Sequence, residues 1–164
     1  MKVFNRVLLV MTMTSLALTN VANAKSQPKA TKNGYATIYG MPAYPSEDVP
    51  KMSQYAENID TKQVYRLDTK PNQTKYTIVL PAPARYRFYS WVNETQYKEP
   101  VAAYTKCNGK YDCMENKNAH EFAIVTLKPK QVIKDFYIAD WFFQEKVPDL
   151  VPTPPSKVTI LKNK

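Results

Sequence analysis

Residues 76–91 read Tyr-Thr-Ile-Val-Leu-Pro-Ala-Pro-Ala-Arg-Tyr-Arg-Phe-Tyr-Ser-Trp, and no other stretch restricts the fold as much. Residues 76–80 are mostly β-branched or aromatic, side chains that pack well on a pleated surface. Residues 85–91 place Arg85, Arg87, Tyr89 and Trp91 on one parity and Tyr86 and Phe88 on the other. Successive side chains of a strand point to opposite faces, so this near-alternation predicts one buried face and one wetter face. Pro81 and Pro83, between the two runs, cannot donate ladder hydrogen bonds and must interrupt the pairing. The stretch is read as two antiparallel strands around a short proline-bounded turn.

The same punctuation recurs along the chain. Alternating or β-rich runs predict further strands at 35–39, 51–58, 63–68, 101–107, 120–127 and 132–143. Helix competes over 51–58, because Met52, Gln54, Ala56 and Glu57 are also helix formers. Residues 120–127 are apolar on both parities and predict a strand covered on both sides. Residues 158–161 are read with the C-terminal tail, with an added strand as the alternative. Three glycines, thirteen prolines and abundant aromatics favour an all-β class. About eight short strands at roughly ten-residue spacing suit an antiparallel β-sandwich or a barrel. The expected fold is the sandwich, with about 7–8 strands.

Residues 1–24 read as a signal peptide. Lys2 and Arg6 supply a positive start, residues 7–18 an apolar run, and Ala22-Asn23-Ala24 a cleavage site. Cleavage near Ala24 predicts a periplasmic or extracellular mature chain. Residues 25–33 are expected to form a disordered leader, 34–147 the β-sandwich domain and 148–164 a Pro-rich basic tail. No other run is long and apolar enough for a transmembrane helix. The formal charge of +9 is a matter of location. Without Lys2 and Arg6 the chain holds 21 basic and 14 acidic residues, or +7. Six of the basic residues lie in the two tails, so residues 35–149 hold 15 basic against 14 acidic, or +1. A nearly neutral body argues against a nucleic-acid partner.

A further set of strings has a familiar arrangement. A glycine-led first strand at 34–39 precedes a proline loop and Tyr55-Ala56-Glu57. Then come Tyr-Thr-Ile-Val-Leu-Pro, Arg-Tyr-Arg-Phe-Tyr-Ser-Trp and Ala-Ala-Tyr-Thr-Lys-Cys. A second cysteine, His120 before an Ile-Val pair, and Tyr-Ile-Ala-Asp-Trp-Phe complete the pattern. Over residues 34–143 it resembles the carboxypeptidase-regulatory-like domains, also described as transthyretin-like or prealbumin-like. The resemblance implies a small immunoglobulin-like β-sandwich of a secreted protein, with an accessory, structural or ligand-binding role. It transfers no catalytic residue. The sequence departs from the pattern at Pro81-Ala82-Pro83-Ala84, where such domains place a glycine; a turn needing positive φ is disfavoured there.

Few residues offer chemistry. Cys107 and Cys113 are the only cysteines, and in an oxidising compartment the pair reads as a disulfide. The Asn108-Gly109 turn between them brings the flanking chain within the required Cα separation of about 4.4–6.8 Å. Cys107, Cys113 and His120 are too few, at the wrong spacing, for zinc, so no metal and no cofactor are expected. His120, beside Glu121, is the one candidate general base of a small hydrolase; the competing reading makes it a structural residue at a strand start. No G-x-S-x-G, paired His-Glu motif or glycine-rich phosphate loop is present. Asn72-Gln73-Thr74 and Asn93-Glu94-Thr95 match the N-glycosylation pattern. The remaining candidates are Arg85, Arg87, Tyr89 and Trp91, with Tyr104, Tyr137 and Trp141 on neighbouring strands. An exposed row of this kind would stack on a polysaccharide or anchor an envelope protein. The competing reading puts these rings in the core, since a one-residue register error swaps the faces. The expected function is therefore a non-catalytic binding module, with a structural subunit of a surface assembly as the alternative.

Overall fold

The computed structural model describes residues 34–93, 101–108, 110–113, 115–146, 148–150 and 155–162. The expected signal peptide, the leader, Gly109 and parts of the tail and of the second glycosylation motif lie outside the described residues. Among the described residues nine strands form two sheets, meeting the expectation of an all-β sandwich. The strands are β1 (Tyr35–Gly40), β2 (Met52–Asn58), β3 (Val64–Asp68), β4 (Tyr76–Pro81) and β5 (Ala84–Val92). They continue with β6 (Val101–Ala103), β7 (Val125–Leu127), β8 (Val132–Phe136) and β9 (Thr159–Ile160). One sheet runs β4-β1-β8; the other runs β6-β5-β2-β3-β9, with β7 beside β6 on the same edge of β5. The pairings are antiparallel except β1–β8 and β3–β9, which are parallel.

The proline-bounded stretch is not a hairpin. β4 pairs with β1, with Ile38 opposite Ile78, whereas β5 pairs with β2, with Ala56 opposite Phe88. Pro81-Ala82-Pro83 carries the chain from one sheet to the other, and the Ala82–Pro83 peptide bond is cis. A chain that leaves one ladder for another needs no ladder donors at the crossing, so two prolines are tolerated there. The crossing is tied at both ends. The Ala82 amide donates to the Gly34 carbonyl (2.8 Å) and the Tyr86 hydroxyl to the Pro81 carbonyl (2.9 Å).

Alternation places Ala36, Ile38, Ile78, Leu80, Tyr86 and Phe88 between the sheets, where they join Leu67, Leu127, Phe136 and Ile138 in the main core. The competitor helix over 51–58 does not form. β2 lies between β3 and β5 and is buried on both faces, and that packing outweighs its helix-forming composition. Three expected strands are shorter than read. Residues 101–107 pair in a ladder only over β6, and residues 132–143 only over β8, after which one helical turn, α1 (Phe143–Lys146), follows. Residues 120–127 pair in a ladder only over β7; His120 closes a 3-10 turn (Lys117–His120), and Ile124 is 45% exposed rather than covered. The alternative reading of 158–161 holds. β9 lies parallel to β3, Leu161 enters the core, and the Gln63 side-chain amide donates to Thr159 Oγ1 (3.0 Å).

A polar cluster crosses β2 and β3. Arg66 donates from Nε to Asp68 Oδ1 (2.7 Å) and from Nη2 to Oδ2 (3.0 Å), and the Ser53 hydroxyl donates to Oδ1 (2.6 Å). Burial raises the Asp68 carboxyl, but the Arg66 and Ser53 hydrogen bonds and the Arg66 charge outweigh it and hold it below its ordinary value. A depressed folded-state pKa contributes stability above the unfolded value of about 3.9, and that contribution is lost as pH falls through the folded value. Asp68→Asn is expected to lower stability at pH 7 and to flatten the acid limb below about pH 4. Urea unfolding of both proteins from pH 7 to pH 2 checks this; parallel pH profiles would contradict it.

Candidate functional site

The residues that the sequence offers as a surface row do not form one. Arg85 is exposed and pairs with Asp60. Arg87 pairs with Glu57 (2.8 Å), and its guanidinium lies 5.1 Å from the centre of the Phe122 ring. Tyr89 (1% exposed) stacks on Tyr55 at 4.9 Å, and Trp91 is 7% exposed. Their outward parity is as expected, but Phe143 completes a second core on that face, with Phe122 and Val158 packed against it. Tyr104 lies half-buried in the inner core, 4.6 Å from Phe136. Trp141 is half-buried, edge-on to Tyr44 at 5.0 Å.

His120 and the cysteines belong to the segment that covers this face. The Cys107–Cys113 disulfide is formed, with a Cα separation of 5.7 Å. His120 Nδ1 stands 2.8 Å from Asp140 Oδ2, and the Thr105 hydroxyl donates to the same oxygen (2.6 Å). A hydroxyl, an imidazole and a carboxyl group thus converge, but His120 is 0% exposed and Asp140 1%. General acid–base work needs contact with a substrate. In this arrangement the three groups tie together the end of β6, the 3-10 turn at Lys117–His120 and the link from β8 to α1. No cluster of three or more metal-binding side chains occurs among the described residues.

Two open concavities among the described residues lie at the loop end of the β4-β1-β8 sheet, away from every expected site residue except Tyr137. The first is a recess of about 290 Å³ where the end of β1, the start of β4 and β8 meet; Tyr39, Met41, Lys75, Thr77, Lys134 and Asp135 line it. β8 shifts register against β1 between Ile38 and Gly40, fitting one residue more than its partner does. Asp135 has φ 54°. Such a bulge re-aims side chains, and here Lys134 and Asp135 reach the recess. Gly40 and Tyr76 complete the recess, and a Cβ at Gly40 would collide with the Tyr76 ring. Gly40→Ala is expected to cost about 1–3 kcal/mol, by displacing a packed ring, as measured by thermal unfolding. An unchanged midpoint would show that the ring yields freely.

A second, more open recess of about 540 Å³ shares Met41. Pro42, Ala43, Val49 and Tyr137 supply its apolar lining, and Glu47, Asp48 and residues 72–74 its polar lining. Its wall is fixed by a reciprocal pair: the Val49 amide donates to Asn72 Oδ1 and the Asn72 amide to the Val49 carbonyl, both at 2.8 Å. Gln73 braces the same turn, accepting from the Lys70 amide (2.9 Å) and donating to the Lys75 carbonyl (2.6 Å). Tyr39 (48% exposed), Tyr137 (43%) and Met41 (41%) are the large apolar side chains standing open at the two recesses.

The fold and these recesses define a two-sheet β-sandwich with an open, tyrosine-flanked depression at one loop end. Comparison with protein-family models, curated proteins and solved structures finds no match for this chain.

Proposed function

We propose that this is a non-catalytic binding module of the secreted or envelope space that takes a carbohydrate at the two recesses meeting at Met41. The accessory role that the likeness to carboxypeptidase-regulatory-like domains implies fits this reading, as does a disulfide suited to an oxidising compartment. The observation that carries it is the pairing of exposed rings with polar groups on a fixed frame. Tyr39 and Tyr137 offer flat apolar faces, and Lys75, Thr77, Lys134, Asp135, Glu47 and Asp48 offer donors and acceptors. Aromatic faces with a few placed polar groups suit a sugar ring, which has apolar C–H faces and a polar hydroxyl rim. Loops at the end of a sandwich are where such sites are built.

Tyr39→Ala is expected to weaken saccharide binding about tenfold, the equivalent of roughly 1.4 kcal/mol. Thermal stability should stay within about 0.5 kcal/mol, because the ring is half exposed and belongs to neither core. A glycan array followed by calorimetry on both proteins tests this. Capture of an envelope protein with no saccharide bound would move the reading to a protein-binding module.

A further inference from the structure

We infer that the smaller recess is an anion subsite, so that the carbohydrate it takes carries a carboxylate or a phosphate. This rests on the carbohydrate reading above and deepens it. Lys75 and Lys134 both line the recess, both are exposed, and neither forms an ion pair with a described residue. Asp135 is the one acid among the described residues lining the recess, so the two ammonium groups leave these side chains a local excess of one positive charge.

The second observation is independent of charge. Tyr76 lines the recess and is 2% exposed, yet its hydroxyl has no hydrogen-bond partner among the described residues. A buried hydroxyl left unpaired is a cost that folds ordinarily avoid. Burial also pushes its phenol well up, so it stays a donor throughout the physiological range. A ligand oxygen reaching this hydroxyl, which lies against Gly40, would accept that hydrogen bond. Two lysines and one phenol then surround an anionic oxygen pair, while Glu47 and Asp48 of the adjoining recess face the hydroxyls of the next sugar.

The test is calorimetry on the full chain with three probes: trigalacturonate, its fully methyl-esterified neutral form, and inorganic phosphate. The acid should bind, and the ester should bind at least about tenfold more weakly. K75Q and K134Q should each weaken the acid about tenfold, and raising salt from 0.05 to about 0.5 M should do the same, because exposed charges are screened. Tyr76→Phe should lower affinity for the acid without lowering the unfolding temperature, since the lost hydroxyl has no partner among the described residues. Equal binding of acid and ester would overturn the anion subsite and leave the carbohydrate reading standing. Phosphate bound through both lysines, with neither saccharide bound, would uphold the subsite and overturn the carbohydrate reading. No binding of any probe at 10 mM, a concentration well above about 1 mM for weak sites, would overturn both.

Discussion

Trp91→Ala is expected to lower stability by about 3–5 kcal/mol, a drop of roughly 10–20 °C in the unfolding midpoint. The ring is 7% exposed and sits in the second core with Tyr55, Tyr89 and Phe143. Removing it loses the transfer free energy of a large side chain and leaves a cavity that the β2–β5 pairing cannot collapse. Tyr89→Ala should behave alike, losing its stack on Tyr55 as well. Trp91→Phe should recover most of the loss. Saccharide affinity, measured well below the lowered midpoint, should be unchanged in Trp91→Phe. If Trp91 were instead a ligand-stacking ring, its truncation would abolish binding and change stability by no more than about 0.5 kcal/mol.

His120→Ala should cost about 3 kcal/mol or more, because it leaves the buried Asp140 carboxyl without the group 2.8 Å away. Asp140 Oδ1 has no hydrogen-bond partner among the described residues, and Oδ2 carries the contacts to His120 and Thr105. Loss of the imidazole loosens the tie that holds the 3-10 turn against the link from β8 to α1. The nearby disulfide loop should follow, since the Cys107 amide donates to the Ala119 carbonyl (2.9 Å) and the Asn108 amide to Thr105 Oγ1 (2.9 Å). Hydrogen exchange of the 107–120 and 137–143 amides, where described, should rise while β1–β4 amides stay protected. Uniform loss of protection would show that the tie is part of the global fold rather than of the cover.

Much of the fold was legible because it is periodic. The parity of 85–91 assigns Tyr86 and Phe88 inward and Arg87, Tyr89 and Trp91 outward, as found. What the parity could not convey is that a distant segment, bearing Phe122 and Phe143, lies over the outward face. The prolines at 81 and 83 mark a break in pairing, but a break is the same in sequence whether the chain folds back or crosses to another sheet. His120 misled for a related reason. Its run is apolar on both parities, yet His120 itself ends a 3-10 turn and meets a carboxyl group twenty residues away, and only Val125–Leu127 of the run pairs as a strand. The recess was the least legible feature. Its lysines come from a β4 start and a β8 bulge, and the bulge places positive φ on Asp135, where no glycine marks it. Gly40 was visible as the end of the first strand; its part in admitting the Tyr76 ring is a tertiary fact.

The central claim is that ligand is held at the loop-end recess and not on the face of β5. The most direct measurement is amide chemical-shift mapping of the isotopically labelled chain during titration with trigalacturonate. Perturbations centred on Tyr39, Lys75, Thr77 and Lys134, moved to about tenfold higher ligand concentration in Tyr39→Ala, are the expected result. Perturbations centred on Arg87, Tyr89 and Phe122, and retained in Tyr39→Ala, would contradict it.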